Sequence, residues 1–180
     1  MPIKNKKIFI IIFLLNLIIF NGNSYADEFN ISAIEITFDK ANDIVIGKGS
    51  VEAVDSDGRI IKADNITYEK QREFLQAEGS VEIFDTEGNT LKSNKASYDK
   101  INEIITTFKN SELSITEGYT ITSDKILYNN IKKIISSDQN TTLIDIDGNI
   151  AEVSMFQYNL DKNLFSSVGK IKIIDKNKNT

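Results

Sequence analysis

Four tyrosines stand 30 residues apart, Tyr68, Tyr98, Tyr128 and Tyr158, and Phe38 holds the same place one unit earlier. A ring recurring at that spacing has two uses: it can plug a core and send its hydroxyl to water, or it can line an apolar cavity. The residues that usually do covalent or metal chemistry are missing. The chain has no histidine, hence no imidazole base or nitrogen metal ligand, and no cysteine, hence no thiolate. No Gly-x-Ser-x-Gly turn presents a serine as a nucleophile. The acidic turns Asp55-Ser56-Asp57-Gly58 and Asp145-Ile146-Asp147-Gly148 begin like calcium loops but lack the closing glutamate. No catalytic residue, metal site or cofactor is expected, and the chain reads as a non-enzyme.

Positioning such a ladder takes a repeated element. Gly58, Gly88, Gly118 and Gly148 keep the same step of 30 over four units without insertion, which marks one supersecondary unit repeated along the chain. Asp57-Gly58, Glu87-Gly88 and Asp147-Gly148 suit tight hairpin turns, because glycine accepts positive φ. Between turns run alternating segments such as residues 74–84, where Leu75, Ala77, Gly79, Val81 and Ile83 share one face. The pattern predicts an all-β chain of about ten strands, an antiparallel meander.

In the tyrosine-bearing strands the apolar parity switches. Ile61 and Ala63 are odd while Ile66 and Tyr68 are even, and the switch recurs at Leu91/Ser93 against Ala96/Tyr98 and at Ala151/Val153 against Phe156/Tyr158. An inserted residue near Asp64, Asn94, Asp124 and Ser154 would restore one apolar face and bend each strand, folding the sheet over an apolar slot. Small residues at Ala53, Ala77, Gly79, Ser93 and Ala96 predict an open slot rather than a solid core. By parity and repeat phase, Tyr68, Val81, Ile83, Tyr98, Leu113, Tyr128 and Leu143 should face inward.

The chain begins with Lys4, Lys6 and Lys7, an apolar run at residues 8–20 broken only by Asn16, and small residues Ser24 and Ala26 before Asp27. That is the layout of a cleaved secretory signal, residues 1–26, with the domain at residues 27–180. Thirteen residues rise only about 20 Å as a helix, which favours a cleaved signal over the alternative of a retained membrane anchor. Removing the signal leaves 18 basic against 26 acidic side chains, a balance that disfavours nucleic acid as a partner. Without cysteine the exported chain must fold on its core alone.

The segment Ala63-Asp64-Asn65-Ile66-Thr67-Tyr68, its short charged turn, and the strand at residues 74–83 resemble the OstA-like repeat of the lipopolysaccharide-transport proteins. That family includes LptA, LptC and the N-terminal periplasmic domain of LptD, and the resemblance spans residues 31–175. It implies a folded-over antiparallel β-jellyroll whose slot shields lipid A acyl chains. Members stack end to end with like domains in the periplasm to assemble the outer membrane. The slot so implied would be lined by Ile66, Tyr68, Val81, Ile83, Tyr98, Leu113, Tyr128, Leu143, Phe156 and Tyr158. The expected partners are lipopolysaccharide, other transport proteins of the same fold, and a head-to-tail copy of the chain itself.

The first strand, near residues 31–38, and the last, near residues 164–174, each lack a covalent neighbour on one side, so their backbone groups need water or another chain. Ile36, Phe165, Ile171 and Ile173 are therefore candidate edge-docking residues. A structural β-solenoid or adhesin-like repeat with a packed interior is the alternative at this period. The acid-glycine hairpins favour the meander.

Overall fold

The computed structural model describes residues 29–176, so the expected signal at residues 1–26 lies outside the described residues. Ten chain passes run back and forth, and four of them are interrupted midway. The first pass holds β1 (Asn30–Ser32) and β2 (Glu35–Asp39). Then follow β3 (Ile44–Val54), β4 (Ile60–Glu69), β5 (Phe74–Phe84) and β6 (Thr90–Asp99), with a single 3-10 turn at Lys70–Arg72. The interrupted middle passes are β7 (Ile104–Phe108) with β8 (Ser111–Ser114), β9 (Thr120–Ser123) with β10 (Leu127–Asn129), and β11 (Ile134–Ser137) with β12 (Thr141–Ile144). The chain closes with β13 (Ile150–Asn159) and β14 (Leu164–Ile174).

Each pass pairs antiparallel with the next, as in a meander and unlike a solenoid. Midway along every pass the sheet folds over. The result is two half-sheets, one carrying the tyrosines and one reaching the glycine turns, bridged by the long strands β3 to β6, β13 and β14.

The turns explain why the register repeats. Asp55 Oδ1 accepts the N–H groups of Asp57 at 3.0 Å and Arg59 at 2.8 Å, and Gly58 closes the turn at φ +85°. Asp85 and Asp145 hold their turns in the same way. On the outer surface Lys62 faces Glu52, Lys92 faces Glu82 and Lys172 faces Glu152 across neighbouring strands. Such exposed pairs are each worth less than about 1 kcal/mol, but they penalise a slipped register.

The bulges lie elsewhere than the parity switch suggests. Asp64 and Asn65 do point outward in succession, which flips the parity of β4. The extra residue, however, belongs to the partner strands, at Gly49-Ser50, Gly79-Ser80 and Gly169-Lys170. Gly79 (φ +79°) and Ser80 (φ +48°) both take left-handed backbone, and a Cβ on Gly79 would collide with the Asp64 carboxylate. Because β5 carries both the fold and the extra residue, Leu75, Ala77, Val81 and Ile83 keep a single inward parity.

Between the half-sheets lies one continuous apolar cluster, from Val51 and Ile61 to Phe156 and Tyr158. Burying each Ile, Leu or Val side chain contributes about 1.5–3 kcal/mol, the main source of stability in a chain without disulfides.

Candidate functional site

All ten residues expected to line the slot, Ile66, Tyr68, Val81, Ile83, Tyr98, Leu113, Tyr128, Leu143, Phe156 and Tyr158, are buried in this cluster. They do not line one open channel. Around Ile83, Leu91, Ile105, Leu113 and Tyr128 the free space is only about 20 Å³, room for little more than a water. The small residues Ala53, Ala77, Ser93 and Ala96 do not open a slot there. They let the half-sheets approach until Ala53 and Ala77 are fully buried.

Toward the last strand the slot widens. A cavity of about 260 Å³ lies among Ile121, Leu143, Ala151, Tyr158, Phe165 and Ile173. An apolar cavity of about 150 Å³ already suffices to hold a benzene-sized guest. The four proposed edge residues are exposed: Ile36 on β2, and Phe165, Ile171 and Ile173 on β14, with Ile173 at 64%. Phe165 pairs with Tyr158, Ile171 with Val153 and Ile173 with Ala151, so β14 extends the inner apolar face past the packed core.

The tyrosine hydroxyls do not simply point to water. Folding the sheet brings the first three glycine turns against the opposite row of turns, about one and a half units further along the chain, and the hydroxyls of Tyr98, Tyr128 and Tyr158 bond at these contacts. The first contact is charged and buried. Arg59 donates to Asp55 at 3.1 Å and to the Tyr98 hydroxyl, and its guanidinium lies 4.6 Å from the Tyr98 ring centre and 3.6 Å from Glu103. Tyr98 donates in turn to Glu103 at 2.8 Å. Side-chain exposure is 6% for Arg59, 0% for Asp55 and 18% for Glu103.

Burial pushes the Tyr98 hydroxyl far above the ordinary tyrosine range, with Arg59 opposing and Glu103 adding to the rise. Burial also works against the Arg59 charge, but Tyr98, Asp55 and Glu103 outweigh it and hold the guanidinium ionised.

The second contact is linked to the first. Asn130 donates to Glu103 at 3.1 Å and accepts from Tyr128 at 3.0 Å and from Lys133 at 3.0 Å, while Lys133 also donates to Glu87 at 2.8 Å. The third contact is aromatic: the rings of Tyr119 and Tyr158 lie 6.2 Å apart, and Tyr158 donates to Asn163 at 2.7 Å. The fourth glycine turn, residues 145–148, stands past the last of these contacts with Ile146 80% exposed.

The lip residues escape a reading based on periodicity, because they are where the repeat varies. Arg59, Asn89, Tyr119 and Asn149 share one phase, and Phe29, one unit earlier, packs edge-on against Tyr68 at 4.9 Å. Among the described residues no cluster of three or more histidine, cysteine or carboxylate groups is arranged to hold a metal. What the site offers is apolar surface with a polar seal along one side.

No family model and no curated protein matches the chain. Among solved structures it is similar to LptH of Pseudomonas aeruginosa, the LptA-homologous periplasmic component of the conserved lipopolysaccharide transport device. The two share 14% identity and a TM-score of 0.59 over 66% of this chain and 94% of that one. The long folded passes, the meander order and the apolar interior agree with that likeness, and the chain therefore has the OstA-like, LptA-type β-jellyroll fold.

Proposed function

We propose that the chain is an exported, periplasmic component of lipopolysaccharide transport, cleaved after Ala26, that shields lipid A acyl chains between its half-sheets and docks end to end with domains of the same fold. The observation that carries this reading is the apolar interior opening into a cavity of about 260 Å³ beside a last strand whose inner face is exposed. An acyl chain crossing water exposes every methylene, each worth about 0.8 kcal/mol, and a slot removes that barrier by contact alone, without catalysis. Ile66, Tyr68, Val81, Ile83, Tyr98, Leu113, Tyr128, Leu143, Phe156 and Tyr158 form the slot in this reading. Ile36, Phe165, Ile171 and Ile173 form its docking ends.

Edge docking has a physical motive. The outer backbone groups of β2 and β14 face no further strand among the described residues, and apolar side chains beside them are exposed. Ile171→Pro would remove one edge N–H, and weaker association with the inner repeats still folded is expected by analytical ultracentrifugation.

The lipid claim is tested by a photo-crosslinker at Leu143, which should capture lipopolysaccharide, compared with one at the outward Glu82 or Lys92, which should not. Equal capture from both faces would reject the slot.

A further inference from the structure

The two lips of the slot are closed unequally along their length. Opening the first contact would part Arg59, which stays paired with Asp55 on its own turn, from the Tyr98 hydroxyl, the Tyr98 ring and the Glu103 carboxylate across the lip, so a charge-assisted hydrogen bond, a cation–π contact and an ion pair break together. Glu103 also receives Asn130, which holds Lys133, so the first and second contacts are joined along the tyrosine-side lip. At the third contact only ring faces and a Tyr158 to Asn163 hydrogen bond stand between solvent and the cavity, and Tyr119 is already partly exposed. Tyr119, Tyr158 and Asn163 all line the cavity itself, together with Ile121, Leu143 and Ile173.

We propose that an aliphatic chain enters the slot sideways between Tyr119 and Tyr158, and that the cluster of Asp55, Arg59, Tyr98 and Glu103 keeps the remainder of the lip shut. This rests on the acyl-carrying reading above and adds to it a route and a limit. The ligand class follows from the lining, which beyond the two tyrosine rings is chiefly branched aliphatic side chains, with Asp145, Asn149 and Asn163 at the rim where a polar head would remain in water. The limit follows from the void of about 20 Å³ behind the sealed lip, too small for a chain unless the half-sheets part. Tyr119 is thus a gate residue. Arg59 and Glu103 are positioning residues that act on the lip rather than on the ligand.

The absence of cysteine makes the test clean, since introduced pairs are the only thiols. Asp57→Cys with Ile101→Cys spans the sealed contact, and Glu117→Cys with Asp161→Cys spans the gate; all four positions are exposed. Each pair is joined by a short bis-maleimide, and uptake of a dansyl-labelled fatty acid is followed by stopped-flow fluorescence. The link at 117 and 161 should abolish uptake, while the link at 57 and 101 should leave its rate unchanged. Tyr119→Ala, which removes one aromatic contact, should speed uptake about fivefold.

Uptake that survives the gate link, or that is lost on linking 57 to 101, would overturn the route. Nitroxides on the same pairs report opening without any ligand. A narrow distance distribution at 57/101 and a broad one at 117/161 is expected, and equal widths would overturn the graded seal. If the unlinked protein takes up no fatty acid, the acyl reading and the entry route fall together, and the nitroxide distances still judge the seal.

Discussion

The two ends of the same slot are built from one repeat and behave as different materials. Toward the N-terminal side the lip is locked by buried charge, the void behind it at Ile83, Leu91, Ile105 and Leu113 is only about 20 Å³, and the strands run unbroken through the fold from β3 to β6. In the C-terminal third the lip contact is aromatic and the interior holds about 260 Å³. There β11 and β12 break at the fold line and β14 leaves its inner face exposed, with β13 running unbroken between them. A repeat fixes backbone and pairing. The substitutions at a few phases, Arg59 against Asn149 above all, decide whether a unit is scaffold or opening.

The largest effect should come from breaking the lock. Arg59→Ala leaves Asp55 fully buried without its partner and should cost roughly 3–5 kcal/mol in urea unfolding. Lys133→Ala, removing the partly exposed ion pair to Glu87, should cost less than about 1 kcal/mol. Similar losses from both variants would mean that the lip is uniform.

A second comparison uses two glycines with nearly the same backbone angle. Gly79→Ala places a methyl against Asp64 at positive φ and should cost roughly 2–3 kcal/mol. Gly148→Ala meets nothing within 4 Å and should cost only the left-handed strain, about 1 kcal/mol. Thermal unfolding of both variants measures the difference, and equal costs would show that the fold is no tighter at the first bulge than at the last turn.

How much of this was legible in the sequence follows from what repeats. The step of 30 at Tyr68 and Gly58 gave the meander, its ten passes and the inward parity of Val81 and Leu143, because hydrophobic alternation and turn chemistry are local. The bulges were misplaced at Asp64 and its equivalents for a physical reason. Parity shows where a face flips, whereas Gly79-Ser80 hides its extra residue by flipping β5 twice. The lip cluster was invisible because Arg59 meets Tyr98 and Glu103 only after the sheet folds. Its signal was the one charge at a phase otherwise held by Asn89, Tyr119 and Asn149. The closed centre is not legible because small residues leave space along a single strand but draw two facing sheets together.

A smaller effect separates the hydroxyls. Tyr98→Phe removes a donor to Glu103 and an acceptor for Arg59 and should cost about 1.5–3 kcal/mol, whereas Tyr158→Phe loses one bond to Asn163 and should cost about 1 kcal/mol. The pH dependence carries the same contrast. The folded state holds the Tyr98 proton more tightly than the unfolded chain does, so its contribution is complete below the unfolded tyrosine pKa of about 10 and is lost as pH rises above it. Stability should therefore fall more steeply above about pH 10 in the parent than in Tyr98→Phe. Parallel curves would remove Tyr98 as the source.

The unequal slot is tested most directly by photo-crosslinkers at four inward positions along it, Ile66, Leu113, Leu143 and Phe165, each exposed to purified lipopolysaccharide under identical illumination. Capture should be strongest at Leu143 and Phe165, weak at Leu113 and absent at Ile66. Capture that is even along the four positions, or strongest at Ile66, would contradict a slot sealed at its N-terminal end and open at its last strand.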